Sequence, residues 1–316
     1  MRLSGLLLLS LLLIFGCSGT DDASLSGAAA TPRLILVTGA TGTQGGAVAR
    51  ELLSRGFAVR ALTRSPEKPA ARALADLGAD IVQGSYDDAD ALAAAMQGVW
   101  GAFLLTDWWE HGVEREVEHG RILVDAAKAA QVKHVVFTSV ANADRDTGVP
   151  HFDSKYEIEQ YLRHSELDYS IIRPVSFMNN WLWRKAEFLS GEIREPYDPD
   201  TRHQWIAARD IGFFAGEAFA KAEQWRGRAI DIAGDAMTLR ELSAVLSEVS
   251  GRPVEYQRMT WGEYARDNND QALKMAQWFD GVGYSVDVAA LREQYPNLMS
   301  ARDFLAELDW SGEPND

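Results

Sequence analysis

Leu34-Ile35-Leu36-Val37-Thr38-Gly39-Ala40-Thr41-Gly42-Thr43-Gln44-Gly45-Gly46-Ala47-Val48 is the stretch of sequence that decides the fold. A short apolar run, typical of a buried strand, meets glycines at 39, 42 and 45, and the residues that follow predict a helix. Gly39 allows a sharp turn, Gly42 lets a phosphate approach the backbone, and Gly45 lets the helix pack against the strand. With the unpaired N–H groups of a helix start, this spacing predicts a site for the pyrophosphate of a dinucleotide. A glycine-rich turn without a ligand is the alternative.

Strands and helices then alternate along the chain. The predicted strands are 58–63, 80–83, 99–105, 134–139 and 169–172, and the predicted helices are 42–55, 69–77, 88–96, 113–130 and 152–164. This alternation predicts an α/β fold, a doubly wound parallel sheet of the Rossmann type, with ligands beyond the carboxyl ends of the strands. We expect the Rossmann domain to cover 32–236, and 237–316 to form a smaller helix-rich part that completes the site cleft.

The residues after the second and third strands indicate which dinucleotide is bound. An acidic residue at the end of the second strand would favour NAD, but the chain has Arg64 there, with Lys68 just beyond. A guanidinium can bind a 2′-phosphate with two hydrogen bonds, so NADP is favoured over NAD. An ordinary solvated arginine is the alternative. Asp87 follows the third strand and could accept from the adenine amino group or cap the next helix.

Several motifs together resemble the NmrA-like family of atypical short-chain dehydrogenase/reductase relatives, and in particular its NADPH-sensing subgroup. They are Gly39–Gly46, Thr63–Pro66, Gly84–Asp88, Phe103–Thr106, His151–Lys155 with Glu157 and Glu159, Ile172–Pro174 and Phe177–Asn180. The resemblance implies NADP(H) binding, with Arg64 and Lys68 near the 2′-phosphate and Lys155 near the nicotinamide ribose. It also places Thr106 and Phe177 at the nicotinamide end. The predicted cofactor-binding residues are Gly39, Thr41, Gly42, Thr43, Gln44, Gly45, Arg64, Lys68, Tyr86, Asp87, Thr106, Lys155, Phe177 and Asn179.

Catalysis is less clearly indicated than binding. Ordinary members of the wider superfamily carry a tyrosine four residues before the lysine, where the two side chains share a helix face. Here that position is His151, and Tyr156 points elsewhere because it is adjacent to Lys155. His151 could do acid–base work or simply begin the helix. Ser139 could orient a substrate or cap its strand, and Lys155 is a catalytic candidate or a solvated lysine.

Four tryptophans also lie in the predicted nicotinamide region. Trp108 and Trp109 follow the fourth strand, and Trp181 and Trp183 follow the Phe177 segment. They could line an aromatic pocket or lid, or they could pack between two parts of the protein.

The composition limits the partners. The chain has 46 acidic and 31 basic side chains and a net charge of −15, which disfavours binding to a nucleic acid backbone. The sequence shows no metal-ligand cluster. A small-molecule substrate or a regulated protein is therefore the expected partner.

The N-terminal residues predict export. Residues 1–17 have a basic start and an apolar run too short to span a membrane, which indicates a signal peptide. Ile14-Phe15-Gly16-Cys17 resembles a bacterial lipobox, so Cys17 is expected to be lipidated and to anchor the chain outside the cytoplasm. Simple cleavage, or retention of the leader in a cytoplasmic protein, is the alternative. Residues 18–31 are small and polar and predict a flexible tether.

These features favour an NADP(H)-binding sensor or regulator of the redox ratio with weak or no turnover. The alternative is an NADPH-dependent reductase of a small carbonyl or quinone.

Overall fold

The structure is a computed structural model that describes residues 31–311 of the 316-residue chain. The signal peptide, the lipobox Cys17 and nearly all of the tether lie outside the described residues. The strands are β1 Leu34–Val37, β2 Ala58–Thr63, β3 Asp80–Gln83, β4 Gly101–Leu104, β5 His134–Thr138, β6 Tyr169–Pro174, β7 Ser176–Phe177, β8 Glu192–Glu195, β9 Arg202–Ile206, β10 Ala229–Ile232, β11 Asp235–Thr238 and β12 Glu255–Arg258.

The helices alternate with the strands in the first half of the chain and dominate its end. They are α1 Thr43–Ser54, α2 Pro69–Asp76, α3 Ala89–Met96, α4 Trp108–Ala129, α5 Pro150–Arg163, α6 Lys185–Leu189, α7 Ala208–Ala220, α8 Ala222–Trp225, α9 Leu239–Ser250, α10 Trp261–Asp267, α11 Asp270–Gly281, α12 Val288–Gln294 and α13 Ala301–Ala306, with a 3-10 helix at Met178–Arg184.

The main sheet has seven parallel strands in the order β10-β6-β5-β4-β1-β2-β3. The predicted doubly wound sheet is therefore confirmed. β1 lies between β4 and β2, so the strand order reverses beside it, which is where such sheets bind their ligands.

Alternate side chains of β1 anchor two different hydrophobic clusters. Ile35 and Val37 pack with α1 and α7 on one face, whereas Leu36 packs with α3, α4 and α5 on the other. Successive strand residues point to opposite faces, so a strand buried on both sides reads as an unbroken apolar run. This explains why β1 has no polar residue. Because the glycine turn directly follows β1, it lies at the carboxyl edge of a sheet that is covered on both faces.

A third hydrophobic cluster joins two separate parts of the chain. Met178 and Trp181 of the 3-10 helix pack with Leu242 and Leu246 of α9 and with Phe304 of α13. β11, β9 and β7 form a three-stranded sheet beside this cluster, and β12 pairs with β8. This cluster therefore contains residues from both sides of the predicted boundary between 236 and 237, which stays a prediction.

Candidate functional site

The glycine turn between β1 and α1 can be made only by glycine at two of its positions. Gly39 has φ of +61°, in the left-handed region that favours glycine. A Cβ on Gly45 would lie 2.3 Å from the carbonyl oxygen of Gly39, so the helix start packs directly on the turn. At Gly42 the nearest such contact would be 3.4 Å, so its side-chain position is open. The turn therefore leaves room for a ligand at Gly42.

The N-terminus of α1 faces this open position. Gly42 is the N-cap residue, no side chain caps the helix, and its first turn has no acidic residue. Thr43 is exposed, and Gln44 accepts a hydrogen bond from the Thr138 hydroxyl at the end of β5. Thr41 contacts Thr63 at the end of β2, with 3.2 Å between their hydroxyl oxygens. An uncapped helix start with a positive dipole end suits a pyrophosphate.

Arg64 lies at the end of β2 and forms an ion pair with a carboxylate of α4. Its two terminal nitrogens donate to the two carboxylate oxygens of Glu110, at 2.7 and 2.8 Å. The guanidinium lowers the pKa of the Glu110 carboxyl through these hydrogen bonds. Lys68 is exposed and precedes α2. The predicted 2′-phosphate residues thus lie at the carboxyl edge of β2, with Glu110 facing one of them.

Asp87, which follows β3, already has two side-chain partners in the structure. The Asp87 carboxylate accepts from Arg115 and contacts the ring of His119 at 2.9 Å, and the His119 contact lowers its pKa. Asp88, not Asp87, caps α3 by accepting from the N–H of Ala91, so the capping alternative for Asp87 is wrong. An adenine amino group would have to share the Asp87 carboxylate with the Arg115 and His119 side chains.

The Tyr86 side chain forms a hydrogen bond to the backbone just after β4, at the carboxyl edge of the sheet. Its hydroxyl donates to the carbonyl oxygen of Leu105 at 2.9 Å, and burial raises its pKa to about 12. Its ring meets that of His119 edge-on. Tyr86 therefore holds the end of β4 in place, which is a role that the sequence did not indicate.

Lys155 lies at the predicted nicotinamide end in a buried polar network. Its ammonium nitrogen donates to the carbonyl oxygen of Thr106 at 2.9 Å and to the Thr106 hydroxyl at 2.8 Å. The same nitrogen lies 3.1 Å from a carboxylate oxygen of Glu116. These three contacts match the three N–H donors of an ammonium group. Lys155 is therefore fixed by the protein itself at the end of β4.

Glu116, which no sequence pattern indicated, is the centre of this network. Its side chain is fully buried and accepts from the hydroxyl groups of Thr106 and Ser154 as well as from Lys155. α4 and α5 approach closely one turn further on, where a Cβ on Gly120 would lie 2.5 Å from the Ile158 side chain. The close approach brings Glu116 to α5. Only the pairing of two distant helices reveals this carboxylate, so no local pattern could have found it.

His151 is an unsuitable proton donor at neutral pH. Its ring stacks on Trp108 with 4.4 Å between centroids and 16° between planes, and burial lowers its pKa to about 4. Trp108 also stacks on Trp109, whose side chain is exposed. The imidazole is thus neutral and acts as an aromatic surface above the start of α5. Helix α5 begins at Pro150, so His151 also lies at the helix start, as the alternative prediction held.

Ser139 follows β5 and has a buried hydroxyl. The hydroxyl oxygen has no hydrogen-bond partner among residues 31–311, and the backbone N–H donates to Ile172. A buried hydroxyl without a partner is costly, so its position at the ligand edge of the sheet leaves it available to a bound molecule.

The segment after β6 contacts both parts of the fold, because Phe177 packs against the cluster of Ile35 and Val37 whereas Trp181 belongs to the third cluster. Phe177 ends β7, which pairs with β9, and the side-chain oxygen of Asn179 accepts from the N–H of Ala208 at the start of α7. Trp181 is buried against Trp205 and Phe304, so its pocket role is not favoured. Trp183 is 79 % exposed.

Two further properties concern residues 31–311. No group of three or more His, Cys, Asp or Glu side chains in this range could hold a metal ion. No helix in the same range is long and apolar enough to cross a membrane.

A glycine turn at the switch point of a seven-stranded parallel sheet is the arrangement of a Rossmann-type dinucleotide-binding fold. The chain belongs to the NmrA-like family, whose profile matches residues 31–305. The family resemblance found from the sequence motifs is therefore confirmed.

Named relatives and solved structures agree with this assignment. The chain is 33 % identical over 255 residues to an NmrA-like family domain-containing oxidoreductase of Cladobotryum sp, covering 71 % of this chain and 75 % of the relative. It is 35 % identical over 230 residues to a (4-alkanoyl-5-oxo-2,5-dihydrofuran-3-yl)methyl phosphate reductase of Streptomyces griseus, covering 72 % and 77 %. It is also similar to an NADPH-dependent quinone oxidoreductase from Escherichia coli complexed with NADPH, with 26 % identity and a TM-score of 0.75 over 86 % of this chain and 98 % of that one.

Proposed function

We propose that the chain binds NADP(H) and reduces a small quinone or similarly conjugated carbonyl compound. The observation that carries the binding proposal is the open glycine turn with Arg64 at the neighbouring strand end. The turn and the α1 N-terminus would hold the pyrophosphate, and Arg64 would hold the 2′-phosphate. Two relatives named as an oxidoreductase and a reductase, and a structure named as a quinone oxidoreductase, support hydride transfer.

The lack of a suitable proton donor at His151 favours quinones over simple aldehydes as acceptors. Bound NADPH would supply a hydride, and the oxygen of the acceptor that receives the hydride would then need a proton. His151 is neutral at pH 7 and stacked on Trp108, so it is not placed to supply that proton. A quinone forms a stabilised anion that can take its proton from water. We therefore expect quinones to be reduced faster than simple aldehydes.

A second candidate function is a non-catalytic sensor of the NADPH/NADP ratio. The observation that favours it is the complete engagement of the Lys155 ammonium by Thr106 and Glu116. To reach a ribose hydroxyl, Lys155 would have to exchange one of these contacts. In the sensor hypothesis, that exchange would change the position of α4 or α5 and thereby the preference for a partner.

Turnover by the purified full-length chain separates the two functions. We expect steady loss of reduced-nicotinamide absorbance when NADPH is mixed with a panel of quinones, and much slower loss with aldehydes. Lys155→Ala should abolish the activity, whereas Lys128→Ala, an exposed lysine of α4, should leave it unchanged. Circular dichroism should show that both variants are folded. Tight NADPH binding with no turnover of any acceptor would contradict the reductase and support the sensor.

The predicted lipid anchor is a separate proposal. We propose that Cys17 carries a lipid that holds the chain on the outer side of a bacterial membrane. The support is the lipobox-like sequence that ends at this cysteine. Incorporation of a fatty-acid analogue in a bacterial host, and its loss in Cys17→Ser, is the expected result. Equal labelling of the two proteins, or no labelling of either, would contradict the anchor.

A further inference from the structure

The first turn of α4 is a distinct unit. Gly112 has φ of 80° and ψ of 171°, so the helix is interrupted there and residues 108–111 form a separate turn. The Asp107 carboxylate caps this turn by accepting from the N–H of Trp109 at 2.8 Å. The turn (called the β4–α4 turn below) therefore has its own cap at one end and a glycine break at the other.

The β4–α4 turn contacts both sides of the predicted cofactor groove. Glu110 pairs with Arg64 at the end of β2, and Trp108 stacks on His151 near the start of α5. The strand order β5-β4-β1-β2 puts β1 and β4 between these two contacts. The turn thus reaches across the carboxyl end of β1, where the glycine turn lies.

The Arg64–Glu110 pair has the geometry that a phosphate would also need. Two parallel N–H···O bonds of 2.7 and 2.8 Å join the guanidinium to the carboxylate. Arginine binds phosphate oxygens through the same two donors. Since the Arg64 side chain is 61 % exposed and the Glu110 side chain is 45 % exposed, water screens the pair, and a doubly charged phosphate can displace the carboxylate.

From this geometry we infer that Glu110 is a specificity-determining residue that competes with the 2′-phosphate of NADP(H) for Arg64. The inference rests on the proposed binding of NADP(H). Binding of a 2′-phosphate releases Glu110 and frees one side of the β4–α4 turn, whereas NAD(H) leaves the pair intact. The preference for NADPH over NADH is therefore smaller than Arg64 alone would give.

Substitution of Glu110 tests the competition directly. In Glu110→Gln, the dissociation constant for NADPH should fall relative to that for NADH by about two- to fivefold, the range that an exposed ion pair supports. Adenosine 2′,5′-bisphosphate carries the 2′-phosphate without the nicotinamide. Its dissociation constant should also be lower in Glu110→Gln than in the wild type, by the same factor. Glu114→Gln removes the same charge from an exposed residue of α4 and should leave both dissociation constants unchanged.

Hydrogen exchange provides a second measurement. Exchange of the backbone N–H groups of residues 107–112 should be faster in Glu110→Gln than in the wild type, and NADPH should accelerate it in the wild type. The inference is overturned if the wild type binds NADPH but Glu110→Gln keeps the wild-type ratio of the two dissociation constants, or if Glu114→Gln changes it equally. Failure of the wild type to bind NADPH at all would instead overturn the proposed function, and the inference with it.

Discussion

Loss of the Glu116 carboxylate should destabilise the protein more than loss of any exposed carboxylate of α4. The side chain is fully buried, and its oxygens accept from Thr106, Ser154 and Lys155. Glu116→Ala removes all three interactions and leaves the Lys155 ammonium without a counter-charge in the interior. Breaking a buried ion pair from one side costs about 3–5 kcal/mol of the free energy of unfolding. Glu116→Gln keeps the shape and an acceptor oxygen but also leaves the ammonium without a counter-charge, so its loss should lie at the lower end of about 3–5 kcal/mol.

Urea unfolding at pH 7 would measure both variants, with Glu114→Ala as the control. Glu114 is exposed on the same helix and should change the free energy by less than about 0.5 kcal/mol. The double variant Glu116→Gln/Lys155→Met should lose less than the sum of the single losses by about 0.5–3 kcal/mol, because removing both charges leaves neither uncompensated. If Glu116→Ala stays within about 1 kcal/mol of the wild type and the double variant is additive, the buried network is refuted.

Two further predictions concern the glycine turn and a buried histidine. Gly45→Ala should prevent normal folding of the turn, because its Cβ would lie 2.3 Å from the Gly39 carbonyl oxygen, whereas Gly42→Ala should melt near the wild-type temperature and yet bind NADPH weakly. If the two variants have the same melting temperature and the same affinity for NADPH, the separate roles of Gly45 in folding and Gly42 in binding are contradicted. His134 contacts the Ser170 hydroxyl at 2.8 Å, and burial lowers its pKa to about 4, so the folded protein keeps it neutral. The unfolded chain protonates it near pH 6.5, so the stability that this histidine contributes is complete above about pH 6.5 and is lost as the pH falls towards 4, by about 1–3 kcal/mol. Urea unfolding of His134→Gln between pH 7.5 and 4.5 should show a shallower pH dependence than the wild type, and an unchanged slope would refute the assignment.

Local sequence patterns were sufficient to predict the first six strands of the main sheet and the helices between them. Strands β2 and β3 begin and end where segments 58–63 and 80–83 were predicted as strands, because turn residues bound each segment on both sides. Helix α9 begins after Thr238, which forms a reciprocal capping box with Glu241 three residues later. These features depend on residues close together in the chain.

Contacts between distant residues could not be predicted in the same way. The burial of Glu116 depends on two helices meeting, and the pairing of Arg64 with Glu110 depends on a turn that Gly112 sets apart from α4. The sequence predicted that this helix starts at 113. Residues 108–112 contain two tryptophans, a histidine and a glycine, and they show no helical periodicity of apolar residues. β10 and the three-stranded sheet were also missed; their strands have two to five residues each.

The central claim is that this edge of the sheet binds a dinucleotide with a 2′-phosphate. Calorimetric titration of the full-length chain with NADPH and with NADH tests it most directly, in the wild type, Arg64→Ala and Arg72→Ala, an exposed arginine of α2. The wild type and Arg72→Ala should bind NADPH more tightly than NADH. In Arg64→Ala, the ratio of the NADH dissociation constant to the NADPH dissociation constant should be about tenfold smaller than in the wild type. Equal binding of the two cofactors by the wild type, or an unchanged preference in Arg64→Ala, would contradict the claim.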